Sequence, residues 1–193
     1  MADELKDLKI AILATDGVEQ VELTDPKKAI EDAGGETELL SLESGEIRGF
    51  EHIDPSGDTF EVDKTVSDAS PDDYDGLLLP GGVINGDFIR GDADAVSFVK
   101  SFIEAGKPTG AICHGLWVLA EADVVSGLRV TSYPSLQTDL RNAGAEWVDE
   151  ECVTESGLVT SRNPGDLPAF CEKIVEEYAE GKHEDLATAA KES

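Results

Sequence analysis

The sequence predicts an α/β protein built on a doubly wound, mostly parallel sheet. Three observations carry this reading. Short, continuous apolar runs such as Leu8-Lys9-Ile10-Ala11-Ile12-Leu13-Ala14 read as strands buried on both faces. Stretches with helical apolar spacing alternate with them, the pattern expected of parallel strands joined by crossover helices. Gly and Pro punctuate the ends of both.

Taken in order, Asp16-Gly17 closes the first strand. A helix is expected from about Glu22 to Ala33, with Pro26 in its first turn and Gly34-Gly35 as its C-cap. A second strand covers Glu38 to Leu42. From Gly45 to Val66, turn residues and short β runs read as one or two hairpin strands at a sheet edge. Leu77-Leu78-Leu79 is a third buried strand, running into Pro80-Gly81-Gly82. Asp94 to Ala105 places Ala95, Val96, Phe98, Val99, Phe102 and Ile103 at helical spacing, capped by Gly106. Thr109 to Ile112 is a short strand ending at Cys113, and Gly115 to Asp123 a helix. Leu128 to Thr131 reads as a strand, Ser135 to Ala143 as a helix, Cys152 to Thr154 and Leu158 to Ser161 as a hairpin, and Leu167 to Tyr178 as the last helix. One domain is expected over 1–193, with residues 1–7 and 180–193 as flexible acidic tails.

Composition removes several function classes. The 42 acids against 15 bases give a formal net charge of −27. Phosphate contacts need Lys and Arg, so nucleic acid is not an expected partner. No apolar run approaches the ~20 residues of a membrane helix, so a cytoplasmic, membrane-free location is expected. Acids spread along the whole chain repel one another in dilute buffer and are screened in concentrated salt, which points to a high-salt cytoplasm. Cys113, Cys152 and Cys171 have neither metal nor disulfide spacing, and His52, His114 and His183 are scattered, so no metal is expected. The glycines after Leu79 match neither a P-loop nor a dinucleotide fingerprint, so no cofactor is expected.

In a doubly wound sheet, ligands bind outside the carboxyl ends of the strands. Three such ends carry candidate chemistry. At the third, Gly110-Ala111-Ile112-Cys113-His114-Gly115 has small residues two before and two after the cysteine, the form of a nucleophile elbow; a small buried cysteine before a helix fits the local pattern equally. A helix starting behind it would favour thiolate. At the second, Gly81 and Gly82 let backbone N–H groups approach a ligand as an oxyanion hole, or form a simple tight turn. At the first, Asp16 to Glu22 offers acids, one of which could bond the sulfur or move a proton. Tyr133 follows a further strand end and is a candidate cleft residue.

Together these segments resemble the PfpI/ThiJ family of the class I glutamine amidotransferase-like superfamily. The resemblance covers Leu8 to Val175. It rests on Glu19-Gln20-Val21-Glu22-Leu23, Leu79-Pro80-Gly81-Gly82, Ala111-Ile112-Cys113-His114-Gly115, Val130-Thr131-Ser132-Tyr133-Pro134, the run Asp139 to Asp149, and Val159-Thr160-Ser161-Arg162. It implies a flavodoxin-like three-layer α/β/α sandwich with Cys113 at the elbow and Glu19 as the acid beside the sulfur. Side chains adjacent at an elbow are expected to point apart, turning His114 toward a cleft shared with a second subunit. Asp87, one methylene shorter than the Glu of some members, matches the acid that a neighbour would offer to His114. A dimer or trimer of dimers is implied.

Three reactions are compatible with these residues. In the first, the Cys113 thiolate traps a 2-oxoaldehyde such as methylglyoxal as a hemithioacetal, Glu19 and His114 move protons, and hydrolysis gives a 2-hydroxy acid, a cofactor-free glyoxalase or deglycase. In the second, the thiolate attacks a peptide, as in an intracellular cysteine peptidase; a narrow elbow suits small molecules better than folded proteins. In the third, Cys113 oxidation is itself the output of a stress sensor.

Overall fold

The computed structural model describes residues 3–192. Its strands are β1 (Lys9–Leu13), β2 (Val18–Glu19), β3 (Glu36–Ser41), β4 (Glu46–Phe50), β5 (Thr59–Glu61), β6 (Lys64–Thr65), β7 (Gly76–Leu79), β8 (Thr109–Ile112), β9 (Arg129–Val130), β10 (Glu146–Trp147), β11 (Cys152–Glu155) and β12 (Leu158–Ser161). Its helices are α1 (Gln20–Asp32), α2 (Val83–Arg90), α3 (Ala93–Glu104), α4 (Leu116–Glu121), α5 (Gln137–Asn142), α6 (Leu167–Glu180) and α7 (Glu184–Glu192). Seven strands form the central sheet in the order β11-β12-β8-β7-β1-β3-β6, parallel except for the β11–β12 hairpin. This is the mostly parallel α/β fold that the alternating pattern predicts.

The strand sequences explain the layers. Along β1, Ile10 and Ile12 face one side and Ala11 and Leu13 the other, all fully buried. The first side packs on Leu23 and Ile30 of α1 and on Phe170, Ile174 and Tyr178 of α6. The second packs on α2, α3, α4, α5 and α7 through residues such as Ile89, Phe102, Leu119, Leu140 and Leu186. The chain runs from β1 outward to β3 and then returns to β7 on the opposite flank of β1. That reversal opens a crevice at the carboxyl ends of β1 and β7.

Several expectations change. The tail expected to fray from residue 180 carries α7, packed against α3, with Leu186 fully buried. At the amino end Leu5 is fully buried and its N–H donates to Ala33 O at 2.9 Å; residues 1, 2 and 193 lie outside the described residues. The predicted strand at 128–131 shortens to β9, which pairs with β10 away from the main sheet. Helix α2 is not among the expected elements; Asn85 and Gly86 in its middle are poor helix formers. The Gly45–Val66 stretch gives the β4–β5 hairpin, which joins β2 in a small second sheet, while β6 extends the main one.

Candidate active site

Cys113 leaves β8 with φ of +62°, in the left-handed region that costs a non-glycine residue ~1–3 kcal/mol. It opens a single 3-10 turn, Cys113–Gly115, that leads into α4. The flanking glycine is there for space: a Cβ on Gly115 would sit 2.4 Å from Leu79 O. The elbow form expected from the sequence is therefore realised in backbone geometry.

The acid at the sulfur is Glu22, where Glu19 was expected. A Cβ on Gly81 would lie 2.1 Å from Glu22 Oε2 and 2.5 Å from Cys113 Cβ, so carboxyl, cysteine and glycine turn converge on one point. Glu22 is fully buried, and neither of its oxygens completes a well-formed hydrogen bond. Burial, and then the Glu19 carboxylate, push its pKa up to about 8, against weaker opposing effects of the Cys113 thiol and the Gly81 main chain. Glu19 sits one helical turn earlier, at the N-cap of α1. Its Oε2 accepts the His52 N–H at 2.9 Å, and its own N–H donates to Gly81 O at 3.2 Å. It lines the same cleft, but its bonds go to the 51–54 loop and the glycine turn.

The expectation of an intrinsically acidic thiol also changes. Burial pushes the Cys113 thiol up, and the neighbouring Glu22 carboxylate pushes it further. The Gly82 and His114 backbone amides act in the opposite direction, favouring the thiolate. Of the two glycines expected to supply amides here, Gly82 acts on the sulfur and Gly81 acts on Glu22. Asn85 fixes that turn: fully engaged, it accepts Thr15 N–H at 2.8 Å and donates to Pro80 O and Gly81 O, both at 3.1 Å.

His114 does not point away from the sulfur. Its Nδ1 lies 3.2 Å from Cys113 Sγ within the same chain. Its ring stacks on Tyr133 (centroids 4.7 Å apart, 29° between planes) and meets the edge of Trp117 at 5.0 Å. Trp117 is held by Asp139 Oδ2 at 2.9 Å and covered by Arg90. Burial lowers the imidazole pKa, which favours a neutral ring able to accept a proton at Nδ1. Asp87 is exposed on α2 and does not line the cleft.

These residues border a cleft of about 440 Å³ lined by Glu19, Glu22, His52, Gly82, Cys113, His114 and Tyr133, among others. Its size suits a small molecule or a single side chain. Among the described residues, the group placed to offer metal ligands is Glu177, Glu180 and His183. It lies at the opposite rim, where His183 N–H donates to Gly106 O just before β8.

The DJ-1/PfpI family model matches residues 8–177. The chain belongs to the DJ-1/PfpI family. It is 43% identical over 162 residues to YraA of Bacillus subtilis, provisionally named a cysteine protease, covering 84% of this chain and 93% of YraA. It is 41% identical over 163 residues to protein/nucleic acid deglycase 2 of Escherichia coli, covering 84% and 92%. The crystal structure of Drosophila melanogaster DJ-1beta superposes with a TM-score of 0.80 at 26% identity, covering 100% of this chain and 97% of that one. The buried Glu22–Cys113 pair therefore sits in a DJ-1/PfpI fold whose relatives carry both deglycase and protease names.

Proposed function

We propose that the protein is a cofactor-free glyoxalase or deglycase acting on small 2-oxoaldehydes. The observation that carries this reading is the pairing of a buried, proton-holding Glu22 with Cys113 in a small cleft, because a carboxyl that titrates near 8 can both give and take a proton under working conditions. His114 Nδ1 takes the thiol proton, and sulfur attacks the aldehyde carbon. The alkoxide formed takes the Glu22 proton, giving a hemithioacetal. The Glu22 carboxylate then removes the hydrogen on that carbon, the protonated His114 gives its proton to the adjacent carbonyl oxygen and takes the one on the hemithioacetal hydroxyl, and Glu22 returns its proton to the adjacent carbon, leaving a 2-hydroxyacyl thioester. Water cleaves the thioester and releases the 2-hydroxy acid, and sulfur recovers its proton. One oxoaldehyde and one water give one hydroxy acid, with no redox partner.

Methylglyoxal assayed with purified protein should yield lactate, and Cys113→Ala and Glu22→Gln should each lower the rate by roughly 10³-fold or more. Casein cleavage without lactate would favour the peptidase reading, which the name of YraA supports. Selective oxidation of Cys113 with neither activity would favour the sensor. The proposal includes a cytoplasmic, high-salt setting and a homo-oligomer, a dimer or trimer of dimers, in which Asp87 of one copy reaches His114 of another. A melting temperature that rises steadily into molar KCl supports the first, given the charge of −27. Light scattering reads the second directly.

A further inference from the structure

We propose that Glu19 is the specificity-determining charge of the cleft, admitting neutral or cationic carbonyl compounds to Cys113 and turning away carboxylated and phosphorylated ones. The proposal rests on the thiol-trapping reading above and names its substrate class.

The charged chemistry of the cleft is one-sided. Its titratable side chains among the described residues are Glu19, Glu22, His52, Cys113, His114 and Tyr133, with no Lys or Arg among those that line it. A site built for a carboxylate or phosphate uses such cations, arginine above all, to replace the water the anion loses. Glu22, fully buried and lacking a completed hydrogen bond, favours its neutral form. The Glu19 side chain is only 11% exposed, so its charge is poorly screened within the cleft. His52 Nδ1 lies 3.7 Å from its Oε2, on a side chain 86% exposed to water. The backbone amides of Gly82 and His114 act on the Cys113 sulfur. An entering anion meets Glu19 with only the solvated His52 beside it, and clefts lined by one sign of charge concentrate that field.

Glu19 is fixed for this role. Its Oε2 holds the main chain of His52, whose φ of +60° turns the loop over the cleft mouth and brings Ile53 into the lining. The consequence is selective protection of the thiol. Neutral 2-oxoaldehydes reach it, whereas aldehydes carrying a phosphate or carboxylate, which would otherwise trap it as dead-end hemithioacetals, are repelled.

Paired alkylating reagents test this without requiring turnover. Iodoacetamide and iodoacetate present the same reacting carbon and differ in charge. In a Cys152→Ser/Cys171→Ser background at one fixed pH and about 1 M KCl, which screens the distant surface charge, the ratio of their rates at Cys113 is compared with that of a small free thiol. Changes in the amount of thiolate cancel in this ratio. We expect it to exceed the reference by ~10-fold or more, to fall toward the reference in Glu19→Gln, and to persist in Glu19→Asp. A second arm compares kcat/KM for phenylglyoxal and 4-carboxyphenylglyoxal in the same variants, with the same trend expected. A ratio equal to the free thiol's, or one unchanged in Glu19→Gln, overturns the proposal. Charge-selective alkylation with no turnover of either aldehyde keeps the charge filter and removes the glyoxalase reading. Turnover without charge preference does the reverse.

Discussion

Glu22 at the carboxyl rim and Glu38 at the β3 edge are both shielded from water, and they titrate in opposite directions. For each, burial is the largest influence and pushes the carboxyl up. At Glu38 the push is overcome by the Tyr74 hydroxyl and Lys9, with Lys64 adding its charge, and the net shift is downward. At Glu22 no cation answers, the next influence is a second carboxylate, and the net shift is upward. Desolvation alone makes neither a structural nor a chemical carboxylate. The partners decide: hydroxyl and ammonium groups make an anchor at Glu38, and a thiol beside a glycine turn makes a proton carrier at Glu22.

Gly81→Ala should break the contrast at its root. Its methyl has no space beside Glu22 and Cys113, so a destabilisation of about 1–3 kcal/mol, read by chemical denaturation, is expected together with loss of lactate formation. Glu22→Gln sharpens the contrast through pH. The folded pKa near 8 lies above the unfolded value of 4.5, so the fold binds the extra proton and wild-type stability falls as pH rises between those values. Relative to wild type, the Gln variant should therefore gain melting temperature from pH 5 to pH 9. Glu38→Gln should show the reverse sign and a smaller size. Its folded pKa is lowered, so its contribution is present above the unfolded value and lost as pH falls through the folded one. A loss of about 1 kcal/mol or less at pH 7, vanishing in acid, is expected for this partly buried network.

The sequence made the reactive corner legible because a nucleophile elbow constrains residue size on both sides of Cys113, and because Gly81 and Gly82 mark a close backbone approach. It misdirected the choice of acid. Glu19 and Glu22 are one helical turn apart, and their roles depend on where α1 begins, which no capping side chain announces. A signal was nevertheless present: Glu22, Pro26 and Ile30 repeat every fourth residue and are all buried. A glutamate in that apolar row had to be neutral or paired. His114 was misplaced because adjacent side chains were expected to diverge, whereas the tight turn and the Tyr133 stack hold its Nδ1 against the sulfur. Helix α7 went unseen because its packing depends chiefly on one residue, Leu186, in an otherwise acidic tail.

The central claim is that Glu22, not Glu19, holds the proton beside Cys113. Carbon-13 NMR of glutamate-labelled protein measures this directly. The account predicts one carboxyl titrating near pH 8, absent in Glu22→Gln and retained, at a lower pH, in Glu19→Gln. A spectrum in which every glutamate titrates in the ordinary carboxylate range, or in which the high signal disappears with Glu19→Gln and survives Glu22→Gln, would contradict it.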